Sequence, residues 1–264
     1  MIRSLLVVFA TLSTTVLWAQ DDNIVGKVVY DYYVDTALAN KNIERLRLEK
    51  PATYAQYGAQ FIRTTKVKDE LKFVLRFDMH RASFSVDDQA RPDRHDEFEY
   101  KTAKTIATDA RDVYYLDRRT RYRVSRAELN GSSINILEPF EKHQWTLTGN
   151  EKCVAGRTLL EATTTREISG PGGQTDQAVV VAWYAPDMPF AYGPLGFDGL
   201  PGLIIELRFG PKFSTGFTAV IVEIERATKR SQKISKPKAV AELTEGEFQR
   251  RAKERWEAVK NSGG

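Results

Sequence analysis

The chain has 264 residues, of which 42% are hydrophobic and 28% are charged, and its formal net charge is +4. That length is enough to build a hydrophobic core, and a single cysteine, Cys153, excludes an intrachain disulfide, so folding must rely on the core. Charges alternate in sign along most of the sequence, so the basic balance does not by itself indicate nucleic-acid binding.

The first 20 residues are typical of a cleavable secretory signal peptide. Arg3 supplies a positive charge, Leu5 to Ala10 form a short apolar run, and the small residue Ala19 suits a cleavage site. A membrane-spanning helix needs roughly 20 apolar residues, so we expect cleavage after Ala19 or Gln20 rather than anchoring. Lipid acylation requires a cysteine at the new amino terminus, and Cys153 is far downstream. We therefore expect a periplasmic or secreted protein without a membrane anchor.

Alternation of apolar and polar residues dominates the mature chain. Leu71, Phe73, Leu75, Phe77 and Met79 share one parity without a gap, which predicts a half-buried strand. Ile24 to Val34 form an opening strand with the same pattern. Further strands are predicted at Phe61 to Lys68, Ser83 to Val86, Val113 to Asp117, Arg121 to Ser125, Ser133 to Leu137, Gln144 to Thr148, Arg157 to Thr165, Val179 to Tyr184, Leu203 to Phe209 and Phe217 to Ile224.

Short strands at regular spacing predict the fold class. They indicate a mainly β protein, with an antiparallel curved sheet or a partly open barrel or sandwich. Turns are expected at Gly149-Asn150, 169–173 and 209–211. Asp87 to Asp96 should form an exposed loop, and a short helix is considered around Ile43 to Lys50. Without an interdomain linker, residues 21–264 are predicted to form one domain.

The densest basic run is Arg118 to Arg123, which includes Tyr122. Interleaved basic and aromatic residues are compatible with a phosphate or nucleic-acid surface. In alternating register, however, the run is more simply the solvated face of a strand. We expect no nucleic-acid partner.

A glycine- and proline-rich segment precedes the predicted strand Leu203 to Phe209. Within it, Leu200-Pro201-Gly202-Leu203 suits a type II turn, in which Pro201 sets one backbone angle and Gly202 supplies a positive φ. Phe197, Leu200 and Leu195 offer apolar surface that can pack beneath a sheet. The favoured interpretation is a plug that closes one end of the β-structure, and the alternative is a rim that receives a ligand or partner.

The hexapeptide Gly199-Leu200-Pro201-Gly202-Leu203-Ile204, with Ala182, Trp183 and Tyr184 upstream, resembles the GLPGLI family. The resemblance implies an exported β-rich protein of a two-membrane bacterium, in a family without an established activity. A cysteine often found in that family three residues after the glycine matching Gly156 is replaced here by Leu159. We expect Cys153 to pack as a small apolar side chain instead. The candidate binding rim comprises Gly199, Leu200, Pro201, Gly202, Leu203, Ile204, Trp183 and Asp198.

Residues for catalysis or for metal and cofactor binding do not form a recognisable pattern. The sequence contains no zinc-protease, serine-hydrolase or phosphate-binding motif, so no catalytic residue, metal or cofactor is predicted. His95, near several carboxylates, could bind a cation but more simply belongs to a solvated loop. Asp198 could act as an acid or base if buried, but a turn-capping role is favoured.

The carboxy-terminal end changes from strands to a helix. Thr244 and Glu247 form a capping box, and an apolar stripe of Phe248, Ala252, Trp256 and Val259 predicts an amphipathic helix over about 244–260. Packing of this stripe on the sheet is favoured over docking of a partner.

Three functional hypotheses follow. The first is a non-enzymatic periplasmic binding or assembly protein that presents an apolar concavity to a ligand or envelope partner. The second is a hydrolase acting on exported peptides or glycans. The third, implied by the family resemblance, is an accessory to an outer-membrane transport protein. The oligomeric state is not indicated by the sequence.

Overall fold

The computed structural model describes residues 23–67, 70–87, 97–141, 143–169, 175–209, 214–228 and 233–262. The predicted signal peptide, most of the predicted loop at Asp87 to Asp96 with His95, and most of the turns at 169–173 and 209–211 lie outside this part. The strands are β1 (Ile24–Val34), β2 (Lys72–Asp78), β3 (Arg81–Val86), β4 (Arg111–Asp117), β5 (Tyr122–Leu129), β6 (Ser132–Leu137), β7 (Thr146–Val154), β8 (Arg157–Ser169), β9 (Thr175–Ala185), β10 (Leu203–Phe209), β11 (Thr215–Arg226) and β12 (Ala241–Thr244). The helices are α1 (Thr36–Glu49), α2 (Pro51–Val67), α3 (Glu97–Ala107) and α4 (Glu245–Ser262).

These twelve strands form one sheet in the order β12-β6-β5-β4-β3-β2-β1-β11-β10-β9-β8-β7. All neighbouring strands are antiparallel except β12 and β6, which run parallel. The sheet does not close into a barrel, because β7 and β12 are its two edges. The predicted fold class is confirmed, in its form of one large, mostly antiparallel sheet with a carboxy-terminal helix.

The main core covers one face of the sheet. Along β1 the buried residues alternate strictly from Ile24 to Val34, and Leu71, Phe73, Leu75 and Phe77 are all at most 1% exposed. Gly26 is needed where β1 meets β2, because a Cβ there would lie 2.1 Å from the Phe77 ring. The alternation in the sequence therefore identifies the face that carries the core.

The helices differ from the sequence-based expectation. The predicted strand at Phe61 to Lys68 is wrong, because α2 extends from Pro51 to Val67. Proline suits the first turn of a helix, and a helix that has started can continue through residues that are weaker helix formers. The predicted helix at Ile43 to Lys50 is the end of the longer α1, whose amino terminus is capped by the Asp35 side chain. Helix α3 was not predicted, and it adds Tyr100, Ala103 and Ala107 to the core.

The predicted capping box at α4 is confirmed. The Thr244 N–H donates to Glu247 Oε2 at 2.8 Å, and the Glu247 N–H donates to Thr244 Oγ1 at 3.3 Å. Phe248 packs into a second apolar cluster with Ile136 and Leu243, so the start of the helix docks on the sheet. The side chains of Trp256 and Val259 lie outside the described structure. None of the helices that the structure describes is long and apolar enough to cross a bilayer.

Candidate functional site

The segment between β9 and β10, residues 186–202, folds back over the core face of the sheet and is called here the motif loop. Its apolar side chains are buried in the main core: Met188, Phe190, Tyr192, Leu195, Phe197 and Leu200. Around Leu195 it contacts β3 and β4, which are five and six places from β9 in the sheet order. The motif loop therefore bridges strands that are distant in the sheet order.

Backbone hydrogen bonds fix the motif loop in place. The Leu203 N–H donates to the Met188 carbonyl at 2.9 Å, and the Ile204 N–H donates to the Tyr192 carbonyl at 3.0 Å. The Tyr30 hydroxyl, from β1, donates to the Ile204 carbonyl at 2.6 Å. Burial raises the pKa of the Tyr30 hydroxyl, so it stays protonated and able to donate at neutral pH.

The hexapeptide within this loop does not form the predicted type II turn. Gly202 does not have a positive φ; a Cβ there would instead lie 2.2 Å from the Ala185 carbonyl oxygen. Gly199 is the residue with a left-handed backbone, at φ +90°. The two glycines are thus required for different reasons, close backbone packing at one and conformation at the other.

Asp198 is the charged centre of the motif loop. Its Oδ1 accepts from Arg123 Nη2 at 2.5 Å, and its Oδ2 lies 3.4 Å from Arg118 Nη2. The Arg123 side chain is only 3% exposed, and it also donates to the Gly196 carbonyl at 2.6 Å. We call this group of Arg118, Arg123 and Asp198 the arginine clasp, which ties the motif loop to β5 and to the end of β4.

The prediction that the basic run is the solvated face of a strand is therefore only partly correct. Arg121 is exposed and pairs with Glu141, but Arg123 points into the core. Because Asp198 lies 75 residues from Arg123, the sequence spacing gave no signal for the pair. The turn-capping role predicted for Asp198 is replaced by this ion pair.

Two further residues beneath the motif loop were not predicted. Trp145 donates from Nε1 to the Asp198 carbonyl at 2.8 Å. The His143 ring stacks on Phe197, with the ring centroids 4.3 Å apart. Their aromatic character just before an exposed strand is the signal that could have identified them.

The residues of the predicted binding rim do not share one surface. Leu200, Gly202, Leu203, Ile204 and Asp198 are buried, whereas Gly199 and Pro201 are exposed. Trp183 pairs in register with Glu206, on the opposite face of the sheet from its buried neighbours Ala182 and Tyr184. Its ring lies 4.3 Å from Lys152 Nζ. The motif therefore acts mainly through its backbone and its buried side chains.

The interior that could have formed an apolar concavity is filled by aromatic rings. Phe73 stacks on Phe84 with centroids 5.5 Å apart, and Phe217 meets both rings edge-on at 5.0 and 5.4 Å. Tyr30 contacts the same group. An apolar ligand thus cannot enter here without displacing core side chains.

An open groove of about 540 Å³ lies beside the motif loop. It is bounded by loop residues 187–190, the turn between β7 and β8, Ile205 of β10 and the middle of β11. Most of its lining is apolar, and Val154 and Val222 are 40% and 39% exposed. Among the described residues that line it, only Arg157 and Asp187 are charged, and they form an ion pair with each other. We call this surface the β11 groove.

One expectation about a single side chain is contradicted by the structure. Cys153 is exposed on β7, so the prediction that it packs as an apolar core residue is wrong; β7 is an edge strand whose residues are almost all exposed. Among the described residues, no group of three or more His, Cys, Asp or Glu side chains could hold a metal ion.

Comparison with models of known protein families gives a match on the motif loop. A family model described as "Protein of unknown function (Porph_ging)" matches residues 172–206, which cover all of β9, the motif loop and the start of β10. The match falls on the segment that carries the hexapeptide, while the GLPGLI resemblance itself stays a prediction. No curated protein matches the sequence.

Two solved structures are similar to this chain at low identity. They are described as "Structure of PNGF-II in C2 space group" and "Structure of PNGF-II in P21 space group", with TM-scores of 0.47 and 0.46 and sequence identities of 12% and 11%. Each match covers 86% of this chain and 32% of the other, so the chain spans about a third of the length of those proteins.

Proposed function

We propose that this chain is an exported, non-catalytic binding protein of the cell envelope, and that its binding site is the β11 groove. The apolar lining of that open groove is the observation that carries the proposal. A volume of about 540 Å³ lies within the range of about 300–1,000 Å³ that is usual for ligand sites. The proposed location rests on the leader-like sequence of residues 1–20.

The surroundings of the groove also support a binding role. The motif loop forms one wall, and its own conformation is held by the arginine clasp and by the core. A rigid wall reduces the entropy lost on binding. Asp198, the carboxylate considered as an acid or base, is engaged by two guanidinium groups, and so it supports a structural role rather than hydrolysis.

A neutral apolar dye, N-phenyl-1-naphthylamine, tests the proposal in a fluorescence titration of the purified protein. We expect saturable binding that the substitution Val222→Lys weakens at least about tenfold, equivalent to about 1.4 kcal/mol. Ile221→Lys is the matched control for dye binding. Ile221 directly precedes Val222 on β11 and is 48% exposed, but it does not line the groove. Equal binding by both variants, or no binding by the native protein, would refute the proposal.

A further inference from the structure

The strand β11 loses its neighbour on one side about a third of the way along its length. It pairs with β10 only from Thr215 to Thr218, opposite residues 206–209. On its other side it stays paired with β1 as far as Arg226, with one register shift at Val220, so the pairing is regular from Ile221 onward. A register shift in β10 between Ile204 and Glu206 marks the point where that strand continues beside β9 alone. Residues 219–225 therefore form a strand edge without a neighbour in the described structure, next to the β11 groove.

Such an edge carries a regular set of hydrogen-bonding groups. In an antiparallel pair, every second residue points its backbone N–H and C=O away from its partner strand. At about 3.4 Å per residue, residues 219–225 present roughly 20 Å of this edge. An extended polypeptide can satisfy these groups as an added strand, whereas an acyl chain or an aromatic molecule cannot form a ladder with them.

The other long open edge of the sheet is protected. Strand β7 bears the charged residues Glu151 and Lys152, and its pairing with β8 shifts register between Leu147 and Glu151. Charges and bulges are the usual means by which proteins block edge-to-edge pairing. Strand β11 also carries charged residues, Glu223 and Glu225, but they alternate with Val222 and Ile224, which line the groove. Val220 and Val222 are 52% and 39% exposed. Strand β11 thus combines an open edge with apolar side chains.

Charge restricts the occupant further. Arg157 and Asp187 neutralise each other at the groove, and Glu223 of β11 pairs with Lys27 of β1. The groove therefore offers no unpaired lining charge to a ligand, and a charged side chain placed against Val222 or Ile224 would lose hydration without compensation. The segment that fits is uncharged over the length in contact with the groove.

We propose that the β11 groove binds an extended, uncharged peptide segment of a partner protein, which adds as a strand to residues 219–225 of β11. Apolar side chains at alternate positions of the segment face Val222 and Ile224, and the intervening side chains face away from the groove. The inference rests on the proposed function, because it names the class of ligand for the same groove.

Synthetic peptides test the backbone pairing directly. The probe alternates threonine and valine over about six residues, matched to the ~20 Å edge, with a lysine at each end for solubility. Two further peptides have the same side chains but carry N-methyl groups on alternate backbone nitrogens. In one of them the methyl groups block the N–H groups along one edge of the extended peptide, and in the other they block those along the opposite edge. Binding is measured by isothermal titration calorimetry, in parallel with the dye titration.

We expect the unmodified peptide to bind, one methylated peptide to bind at least about tenfold more weakly, and the other to bind within about twofold of the unmodified peptide. Val222→Lys should weaken peptide binding, and Val179→Lys should not, because Val179 is 48% exposed on β9 and lies outside both residues 219–225 and the groove. Equal affinity for all three peptides would overturn strand addition. Dye binding at the groove without peptide binding would also overturn it and would leave the proposed function standing, whereas loss of both would refute both.

Self-association is the remaining outcome that would overturn the inference. If the open edges of two copies pair with each other, sedimentation velocity should show a dimer that Val222→Lys converts to a monomer, and the peptide should compete with dimer formation rather than bind a monomer. The inference predicts a monomer whose sedimentation coefficient does not change on dilution.

Discussion

The two sides of the motif loop differ in how completely the chain covers its own apolar surface. Toward β2–β5, the loop, the arginine clasp and the aromatic rings fill the space, and Phe73, Phe77 and Phe84 are at most 1% exposed. Toward β11, the loop forms only one wall, and Val220 and Val222 are 52% and 39% exposed. We call these the closed side and the open side.

The difference separates stability from binding. On the closed side, the sequence motif is used to hold the fold together, because its side chains and backbone groups are engaged by the core. On the open side, apolar side chains remain in contact with water, which costs free energy unless a partner covers them. Substitutions on the closed side should therefore change stability, and substitutions on the open side should change binding.

The largest effect is expected from breaking the arginine clasp. Asp198→Ala leaves the Arg123 guanidinium buried without a carboxylate, and loss of one partner from a buried ion pair typically costs about 3–5 kcal/mol. Urea unfolding followed by tryptophan fluorescence measures this loss. Asp187→Ala is the matched control on the open side: its ion pair with Arg157 is exposed, so we expect less than about 1 kcal/mol. Similar losses in both variants would erase the distinction between the sides.

A smaller loss is expected at the hexapeptide. Gly202→Ala places a Cβ 2.2 Å from the Ala185 carbonyl oxygen, and the backbone must move, at a typical cost of about 1–3 kcal/mol. Gly246→Ala serves as the control, because nothing lies within 4 Å of a Cβ built there and alanine is the better helix former. We expect the control to unfold at the same urea concentration or a higher one. An unchanged midpoint for Gly202→Ala would show that the contact relaxes freely.

The capping box of α4 tests a region of the fold that, in the described structure, contacts neither the motif loop nor the β11 groove. Thr244→Ala removes the side chain that accepts from the Glu247 N–H, and such a change typically costs about 1 kcal/mol. The cluster of Ile136, Leu243 and Phe248 should loosen, which a lower midpoint in thermal unfolding would show. Dye binding at the β11 groove should not change. If binding falls as much as stability, the two regions are coupled.

The smallest effect concerns the pH dependence of the same cap. Hydrogen bonds from Thr244 lower the pKa of Glu247 below its usual value. The folded state thus favours the carboxylate, so this contribution to stability is present above the unfolded pKa of about 4.3 and is lost as the pH falls through the folded pKa. The Glu247→Gln variant should therefore be less stable than the native protein at pH 7. At pH 2, where Glu247 is protonated, the two proteins should have the same free energy of unfolding. An equal difference at both values would contradict the assignment.

Much of the fold could be predicted from the sequence because alternation reports burial directly. Strand β10 was predicted with its observed bounds, and the run from Leu71 to Phe77 identified the core face. The strand predicted at Phe61 to Lys68 was wrong because β-branched residues favour strands only weakly, and the helix begun at Pro51 continues through them. Tyr100, Ala103 and Ala107 of α3 have helical spacing, a signal in the sequence that could have identified this helix.

The candidate site was much less predictable. The hexapeptide draws attention to the motif loop, but the partners of Asp198 are brought together by sheet order, and Arg123 is indistinguishable in sequence from its exposed neighbour Arg121. The β11 groove depends on where β10 leaves β11. That separation follows from a register shift between Ile204 and Glu206, and alternation alone does not reveal it.

Photo-crosslinking tests the central claim, that binding occurs on the open side, most directly. The alternating threonine–valine peptide is made with a benzophenone group in place of its central valine, irradiated with the native protein and with Val222→Lys, and the adducts are mapped by mass spectrometry. The account predicts adducts within residues 219–225 or the facing residues 187–190 and 154–157, and their loss in Val222→Lys. Adducts confined to β7 or to the opposite face around Trp183, unchanged in the variant, would contradict it.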